Sequence, residues 1–172
     1  MEEKKSWYAV YTKPRAEKKL KDSLDKKGIQ TFLPILKQKK KWSDRTKYVE
    51  TPVFPSYVFV KINFEKEALD ISREPNSVSF VFFNGKPAEI TESEIEILRI
   101  FVNEYPDKLK VQESDFLQKG REVEIISGPF AGRKAIVIEV KKMLYVVLHI
   151  KAINRILKVE VPKEVIKIPN LL

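Results

Sequence analysis

The run Pro52-Val53-Phe54-Pro55-Ser56-Tyr57-Val58-Phe59-Val60-Lys61-Ile62 constrains the fold of this chain more than any other stretch. From Tyr57 to Val60 the apolar pattern is continuous rather than alternating. A strand of that kind is covered on both faces, at the centre of a sheet. The two prolines bracket Val53 and Phe54 and cannot donate to a ladder, so Phe54 is expected in an extended lead-in rather than in the sheet. An aromatic held that way serves either as a surface docking anchor or as ordinary core, and the same choice applies to Tyr57.

The residues before this strand supply its neighbours. Trp7-Tyr8-Ala9-Val10-Tyr11-Thr12 is rich in strand formers and predicts a first strand. Pro14 suits the first turn of a helix capped near Thr12 or Lys13. Ala16, Leu20 and Leu24 give that helix one apolar stripe, several lysines lie off it, and Gly28 ends it. Residues 29–35 read as a second strand, with Pro34 marking an edge or a bend. Residues 37–47 are basic and contain Trp42, which predicts a hairpin tip or a mobile arm. Charge runs are commonly solvated loops, but Trp42 beside Lys39, Lys40 and Lys41 equally suits contact with nucleic acid.

After the central strand, Asn63 can cap a short helix with Glu65 and Glu67 in its first turn. Residues 78–83 form a β-prone run, Asn84-Gly85 is a tight-turn signal, and Thr91 with Glu94 fits a capping box. Ile95, Leu98, Phe101, Val102 and Tyr105 then mark the buried stripe of a helix. The order β-α-β-β-α-β-α predicts an α+β sandwich with an antiparallel-rich sheet. The polar stretch from Pro106 to about residue 114 reads as a linker. From Phe116 the grammar is all-β: residues 121–126, 135–140, 144–150, 155–161 and 165–168 are short strands, with a turn at 127–132. Five short strands in so few residues predict a small barrel that presents a surface rather than an internal active site.

The 172 residues carry a net charge of +9, which suits polyanionic surroundings such as nucleic acid. With no cysteine and one histidine, His149, the usual zinc sites cannot be built. The five glycines are scattered and cradle no phosphate. No stretch is apolar enough to span a membrane, and the first residues lack the apolar run of a signal peptide. No catalytic residues, metal or cofactor are expected, and binding is the default function. A nuclease whose carboxylates meet only in space is the enzymatic alternative.

Trp7-Tyr8-Ala9-Val10, then Phe54-Pro55-Ser56-Tyr57-Val58-Phe59-Val60, then Gly120-Arg121-Glu122-Val123 with Gly128-Pro129-Phe130-Ala131-Gly132 resemble the NusG family of transcription elongation factors, in order and spacing. The resemblance implies an NGN domain over residues 1–106, a linker over 107–115, and a KOW domain, an SH3-like all-β barrel, over 116–172. It implies a cytoplasmic, monomeric bacterial elongation and antitermination factor. Such a factor binds RNA polymerase at the clamp helices of the largest subunit, through a hydrophobic depression, and suppresses pausing and termination. Phe54 and Tyr57 match positions in or beside that depression, Tyr8 lies near it, and Phe80 and Phe82 extend it. Members that contact the non-template DNA strand use the first helix and the turn before the fourth strand, where this chain offers Lys13, Arg15, Lys18, Lys19 and Arg73. By the same resemblance the barrel would meet the ribosome or Rho through Phe130, Ile153 and Arg155.

Two departures stand out. Family members often carry glycine at the position of Ser56. Lys151-Ala152-Ile153-Asn154-Arg155 lacks the aromatic-glycine-arginine stretch of housekeeping NusG. The short, glycine-poor sequence is more similar to specialised paralogues such as RfaH, LoaP and UpxY, antiterminators of particular operons, often those for surface polysaccharides. In RfaH the KOW segment can pack as a helical hairpin over the NGN domain. Here residues 136–140, 144–150 and 156–161 are rich in β-branched side chains, which favours the barrel. A KOW-bearing RNA-binding protein of the ribosome is the alternative reading, with the apolar strand as plain core.

Overall fold

The computed structural model describes residues 4–113, 120–140 and 142–167. The chain divides into two compact units, residues 1–95 and 96–172.

In the first unit, β1 (Ser6–Thr12), β2 (Gln30–Phe32), β5 (Tyr57–Ile62) and β6 (Ser77–Phe80) form an antiparallel sheet in the order β2-β5-β1-β6. The short strand β9 (Glu89–Ile90) also pairs with β1. The continuous apolar strand therefore lies inside the sheet, as its pattern requires. Opposite residues in the register Tyr8↔Val60, Ala9↔Phe59, Val10↔Val58 and Tyr11↔Tyr57 share a face. One face carries Tyr8, Val10, Val58, Val60 and Phe80. It packs on Leu20 and Leu24 of α1 (Glu17–Lys26) and on Ala68 and Ile71 of α2 (Phe64–Ser72). Each of the leucine and isoleucine side chains contributes about 1.5–3 kcal/mol when fully buried. The other face carries Trp7, Ala9, Tyr11, Tyr57 and Phe59. The Trp7 indole donates to Glu92 Oε2 (2.9 Å) at the start of α3 (Glu92–Glu104).

The capping chemistry falls largely where the sequence puts it. Asn63 accepts from the Lys66 amide, and its own amide donates to Glu67 Oε2 (2.7 Å). Thr91 and Glu94 close a reciprocal box, with Thr91 N donating to Glu94 Oε2 (2.7 Å) and Glu94 N donating to Thr91 Oγ1 (3.2 Å). The first helix differs from expectation. It is capped by Ala16 without a side-chain bond, not by Thr12 or Lys13. Arg15 sits in the left-handed region (φ 58°), and Ala16 N donates to Lys13 O, so a closed turn holding Pro14 precedes the helix. The run 29–35 is split at Leu33-Pro34 into β2 and β3 (Ile35–Lys41), because Pro34 turns its carbonyl to the Val53 amide (2.9 Å). Strand β3 pairs with β4 (Thr46–Pro52) as a separate two-stranded ribbon, so the basic segment is a hairpin. The run 78–83 is likewise split. Val81 N donates to Ala9 O (3.0 Å), and β7 (Phe82–Phe83) pairs with β8 (Lys86–Pro87) across Asn84 (φ 49°) and Gly85 (φ 73°). Positive φ at both turn residues is the hairpin geometry that Asn-Gly predicts.

The second unit contains β10 (Lys110–Glu113), β11 (Arg121–Ile125), β12 (Lys134–Val140), β13 (Met143–Ile150), β14 (Arg155–Val161) and β15 (Ile166–Lys167). They form one antiparallel sheet, ordered β10-β14-β13-β12-β11-β15. The β-branched segments are strands and not helices. The stretch expected to be an irregular linker contains β10, which pairs with β14 from Lys110↔Lys158 to Glu113↔Arg155. That pairing corrects the linker expectation: a polar sequence still donates backbone hydrogen bonds when a neighbouring strand offers an edge. Phe116 and Ile168, expected at the two ends of the barrel, lie outside the described residues. Residues of α3 from Glu96 onward belong to this unit. Phe101 meets Phe130 edge-on and Tyr105 stacks on it, each at 5.4 Å, while Arg133 pairs with Glu96 (2.7 Å).

A Cβ placed on Gly120 would stand 2.3 Å from Ile136 Cγ2 and 3.1 Å from the Val137 carbonyl oxygen. A branched side chain on a strand cannot swing clear, so Gly120→Ala is expected to cost about 1–3 kcal/mol, read as a lower urea midpoint. A second prediction concerns Glu74, buried after α2, which accepts from Ser23 Oγ (2.7 Å) and pairs with Lys27. Hydrogen bonds from Lys27 and Ser23 hold its carboxyl below the usual carboxylate range. A depressed native pKa gives stability that is present above the unfolded value, about 4.3, and is lost as pH falls through the native value. Glu74→Gln should therefore be less stable than wild type by about 1–3 kcal/mol at pH 7. The gap between their urea midpoints should narrow steadily as the pH is lowered below 4.

Candidate functional site

The turn leading into β5 is built from parts of three elements. Val53 N donates to Pro34 O (2.9 Å), Thr12 N donates to Ser56 O (2.8 Å), and Ser56 N donates to Glu17 Oε1 (2.7 Å). Glu17 is buried at the first position of α1, so its carboxylate works as an internal staple rather than as a surface charge. Ser56 itself adopts φ 66°, the left-handed region that glycine occupies without strain. A glycine at this position would relieve that strain.

The staple fixes where the aromatic side chains point. Phe54 is turned inward, 2% exposed, with its ring edge-on to Phe59 at 6.0 Å. Of the two readings open for Phe54, ordinary core holds, and the exposed partner contact implied by the resemblance does not: the prolines hold the ring against the sheet. Tyr57 is half-buried and meets Tyr11 edge-on at 5.3 Å, and Tyr11 is 42% exposed. Tyr11 also pairs with Ser79 of β6, so Tyr57, Tyr11 and Ser79 form a row across three strands.

Tyr8 and Phe80 do not join this row. They lie on the opposite face, because side chains alternate along a strand. Both are buried, and both meet Phe64, at 5.0 Å and 4.9 Å. Burial and the nearby Glu89 carboxylate, which accepts from the Tyr8 hydroxyl (3.2 Å), push that hydroxyl's pKa up. Phe82 touches Phe64 at 6.2 Å but is 56% exposed. Of the five aromatic candidates, Tyr8 and Phe80 lie on one face of the sheet and Tyr57 on the other, while Phe54 packs on Phe59 and Phe82 reaches Phe64 from the β7–β8 ribbon. Sequence reading missed Tyr11 and Phe64. Tyr11 was legible by counting alternation from Trp7, and Phe64 by its place directly after the Asn63 cap.

The cations form separate groups. Lys13 N donates to Asn76 O (3.1 Å), which brings the turn after β1 beside the turn before β6. Lys13, Arg15 and Lys19 are exposed there. Lys18 is drawn to Glu50 of β4 (2.7 Å). Arg73 lines a cleft with Lys27, Glu67, Asp70 and Glu74, a mixture of charges rather than a basic patch. Lys39, Lys40, Lys41 and Trp42 all lie on the β3–β4 hairpin, exposed. In the second unit Phe130 and Ile153 are buried, which corrects the expectation that they face a partner. Phe130 is covered by Phe101 and Tyr105. Arg155 is half-buried and pairs with Glu113 (3.8 Å). Among the described residues no three His, Asp or Glu side chains group to hold a metal, and no helix is long and apolar enough to cross a membrane.

An α+β unit with partly exposed aromatics and a basic ribbon is followed by a second unit of antiparallel strands that also holds most of α3, which makes a two-part protein. Residues 5–99 match the family described as "Transcription termination factor nusG", and residues 119–142 match the KOW motif. The Helicobacter pylori protein named "Transcription termination/antitermination protein NusG" is 29% identical over 147 residues, 77% of this chain and 80% of that protein. The Lactococcus lactis protein of the same name is 28% identical over 148 residues, 78% of this chain and 77% of that protein. The solved structure "Domain interaction in Thermotoga maritima NusG" aligns over 95% of this chain and 97% of that chain, with a TM-score of 0.51 and 25% identity. The family match spans more than half of the chain, which belongs to the NusG family of transcription termination and antitermination factors. Proteins of this family act by binding rather than by catalysis.

The conformation of Ser56 gives a direct test of the staple. Ser56→Gly should be neutral or raise stability by about 1 kcal/mol, whereas Ser56→Val, strained at positive φ, should lower it by about 1–3 kcal/mol. Thermal melts of the two variants beside wild type would measure both.

Proposed function

We propose that this chain binds RNA polymerase through the Tyr57-Tyr11 row of the first unit and thereby suppresses pausing and termination. One observation carries the reading. The row is a partly exposed aromatic surface, held by the Glu17 staple, on the strand pair that carries the family resemblance. Preformed aromatic surfaces of this kind receive apolar helix faces at little entropic cost. The surface fits the clamp helices of the largest polymerase subunit, the partner implied by the family resemblance. The exposed Lys13, Arg15 and Lys19 would then hold phosphates of the non-template DNA strand, each contact adding to the salt dependence of binding. Residues 1–106 are the polymerase-binding NGN part in this reading, and residues from 116 onward the KOW part.

We place the chain among the operon-specific antiterminators. The loop after β13 carries Ile153 and Asn154 where housekeeping members carry an aromatic and glycine. Ile153 is buried, and Asn154 takes the left-handed conformation (φ 51°). Occupancy confined to a few operons in a genome-wide map would support this assignment, and occupancy on most transcribed genes would refute it.

The polymerase reading is tested by affinity measurement on purified core enzyme with the double variant Tyr11→Ser/Tyr57→Ser. Binding should weaken at least tenfold while the thermal melt of the variant stays cooperative. Undiminished affinity in a folded variant would refute the proposal.

A further inference from the structure

The hairpin formed by β3 and β4 has a composition that its own stability does not explain. The two strands pair over seven positions, from Ile35↔Pro52 to Lys41↔Thr46, and among the described residues join no other strand. An isolated two-stranded ribbon is marginally stable in water. This one also sets Lys40 directly opposite Lys47, a like-charge pair that destabilises it further. Between Ile35 and Pro52 there are six cations, Lys37, Lys39, Lys40, Lys41, Arg45 and Lys47, against two carboxylates, Asp44 and Glu50. The ribbon thus carries a net +4 of the chain's +9.

Its aromatic residues are placed just as deliberately. Tyr48 is 75% exposed and sits opposite Lys39, with Lys41 as a diagonal neighbour on the same face and Lys37, the other diagonal neighbour, paired with Glu50 (3.6 Å). Trp42 is 60% exposed at the tip, where its backbone amide donates to Arg45 O (2.8 Å). Neither ring stacks on another ring among the described residues. A merely solvating arm has no use for two exposed rings. A duplex hides its bases in the stack and offers only phosphates to such a face. A single strand presents unstacked bases and phosphates together, and alternating rings and cations match that chemistry.

We propose that the β3–β4 hairpin is a binding site for single-stranded nucleic acid, with Tyr48 and Trp42 stacking on bases and Lys39, Lys41 and Arg45 holding the phosphates. The site is separate from the Tyr57-Tyr11 row and does not rest on polymerase binding.

The two tryptophans make it measurable in the full-length chain without polymerase. Trp7 is sealed in the sheet and bonded to Glu92, while Trp42 faces solvent, so quenching of the emission on ligand addition reports the hairpin. Titrations with oligothymidylate, with oligouridylate and with a duplex of equal length, at several salt concentrations, should show saturable quenching by a single strand. The tighter of the two strands identifies DNA or RNA as the natural ligand. Tyr48→Ala should weaken single-strand binding at least fivefold at an unchanged salt slope, and Tyr48→Phe should bind as wild type does. Lys39→Ser/Lys41→Ser should reduce the slope of log K against log salt by about 1.4. No quenching by either strand, equal or tighter binding of duplex, or undiminished affinity of Tyr48→Ala would each overturn the assignment. Because the Tyr48 variants leave Tyr11 and Tyr57 untouched, this site and the polymerase surface can fail independently.

Discussion

The pairing of β1 with β5 is the constraint on which the first unit depends. Each strand is covered on both faces, so neither can slip by one residue without exchanging its helix-facing set for the opposite one. Val10 and Val58 commit one face to α1 and α2, and Ala9 and Phe59 commit the other. With the register fixed, the position of every ring at the end of the sheet is decided. Tyr11 and Tyr57 meet on the side away from Leu20 and Leu24, where they remain partly open to solvent. The outward surface is a by-product of inward packing.

Much of this was legible in the residues, for identifiable reasons. Continuous apolarity at Tyr57 to Val60 places the strand inside a sheet, and two-residue signals such as Asn84-Gly85 or Thr91 with Glu94 fix turns and caps, because their chemistry is local. The alternating strands of the second unit fall within about two residues of expectation for the same reason. What sequence reading missed depends on partners distant in the chain. The start of α1 is set by the left-handed Arg15 and by Glu17 reaching Ser56, a bond across 39 residues that no local pattern announces. Strand β10 exists because β14 presents an edge.

The candidate site was harder to read than the fold. The family resemblance gathers Tyr8, Phe54, Tyr57, Phe80 and Phe82 into one expected depression, but alternation sets Tyr8 and Phe80 on the face opposite Tyr57. Phe54 lies 2% exposed despite its proline brackets, since prolines fix the path of a backbone and not the side on which a ring settles. Phe130 and Ile153 are withdrawn in the same way, into the packing of the second unit. The basic hairpin was recognisable as basic and aromatic. Its two-sided arrangement, with Tyr48 among lysines, needed the cross-strand register.

The Glu17 staple has a further consequence. One carboxylate joins the start of α1, the helix that carries Lys18 and Lys19, to the turn that seats Tyr57. Under the proposed function, a nucleic-acid strand held by the helix and a partner held by Tyr57 would both load this one bond, and any coupling passed through it would be reciprocal.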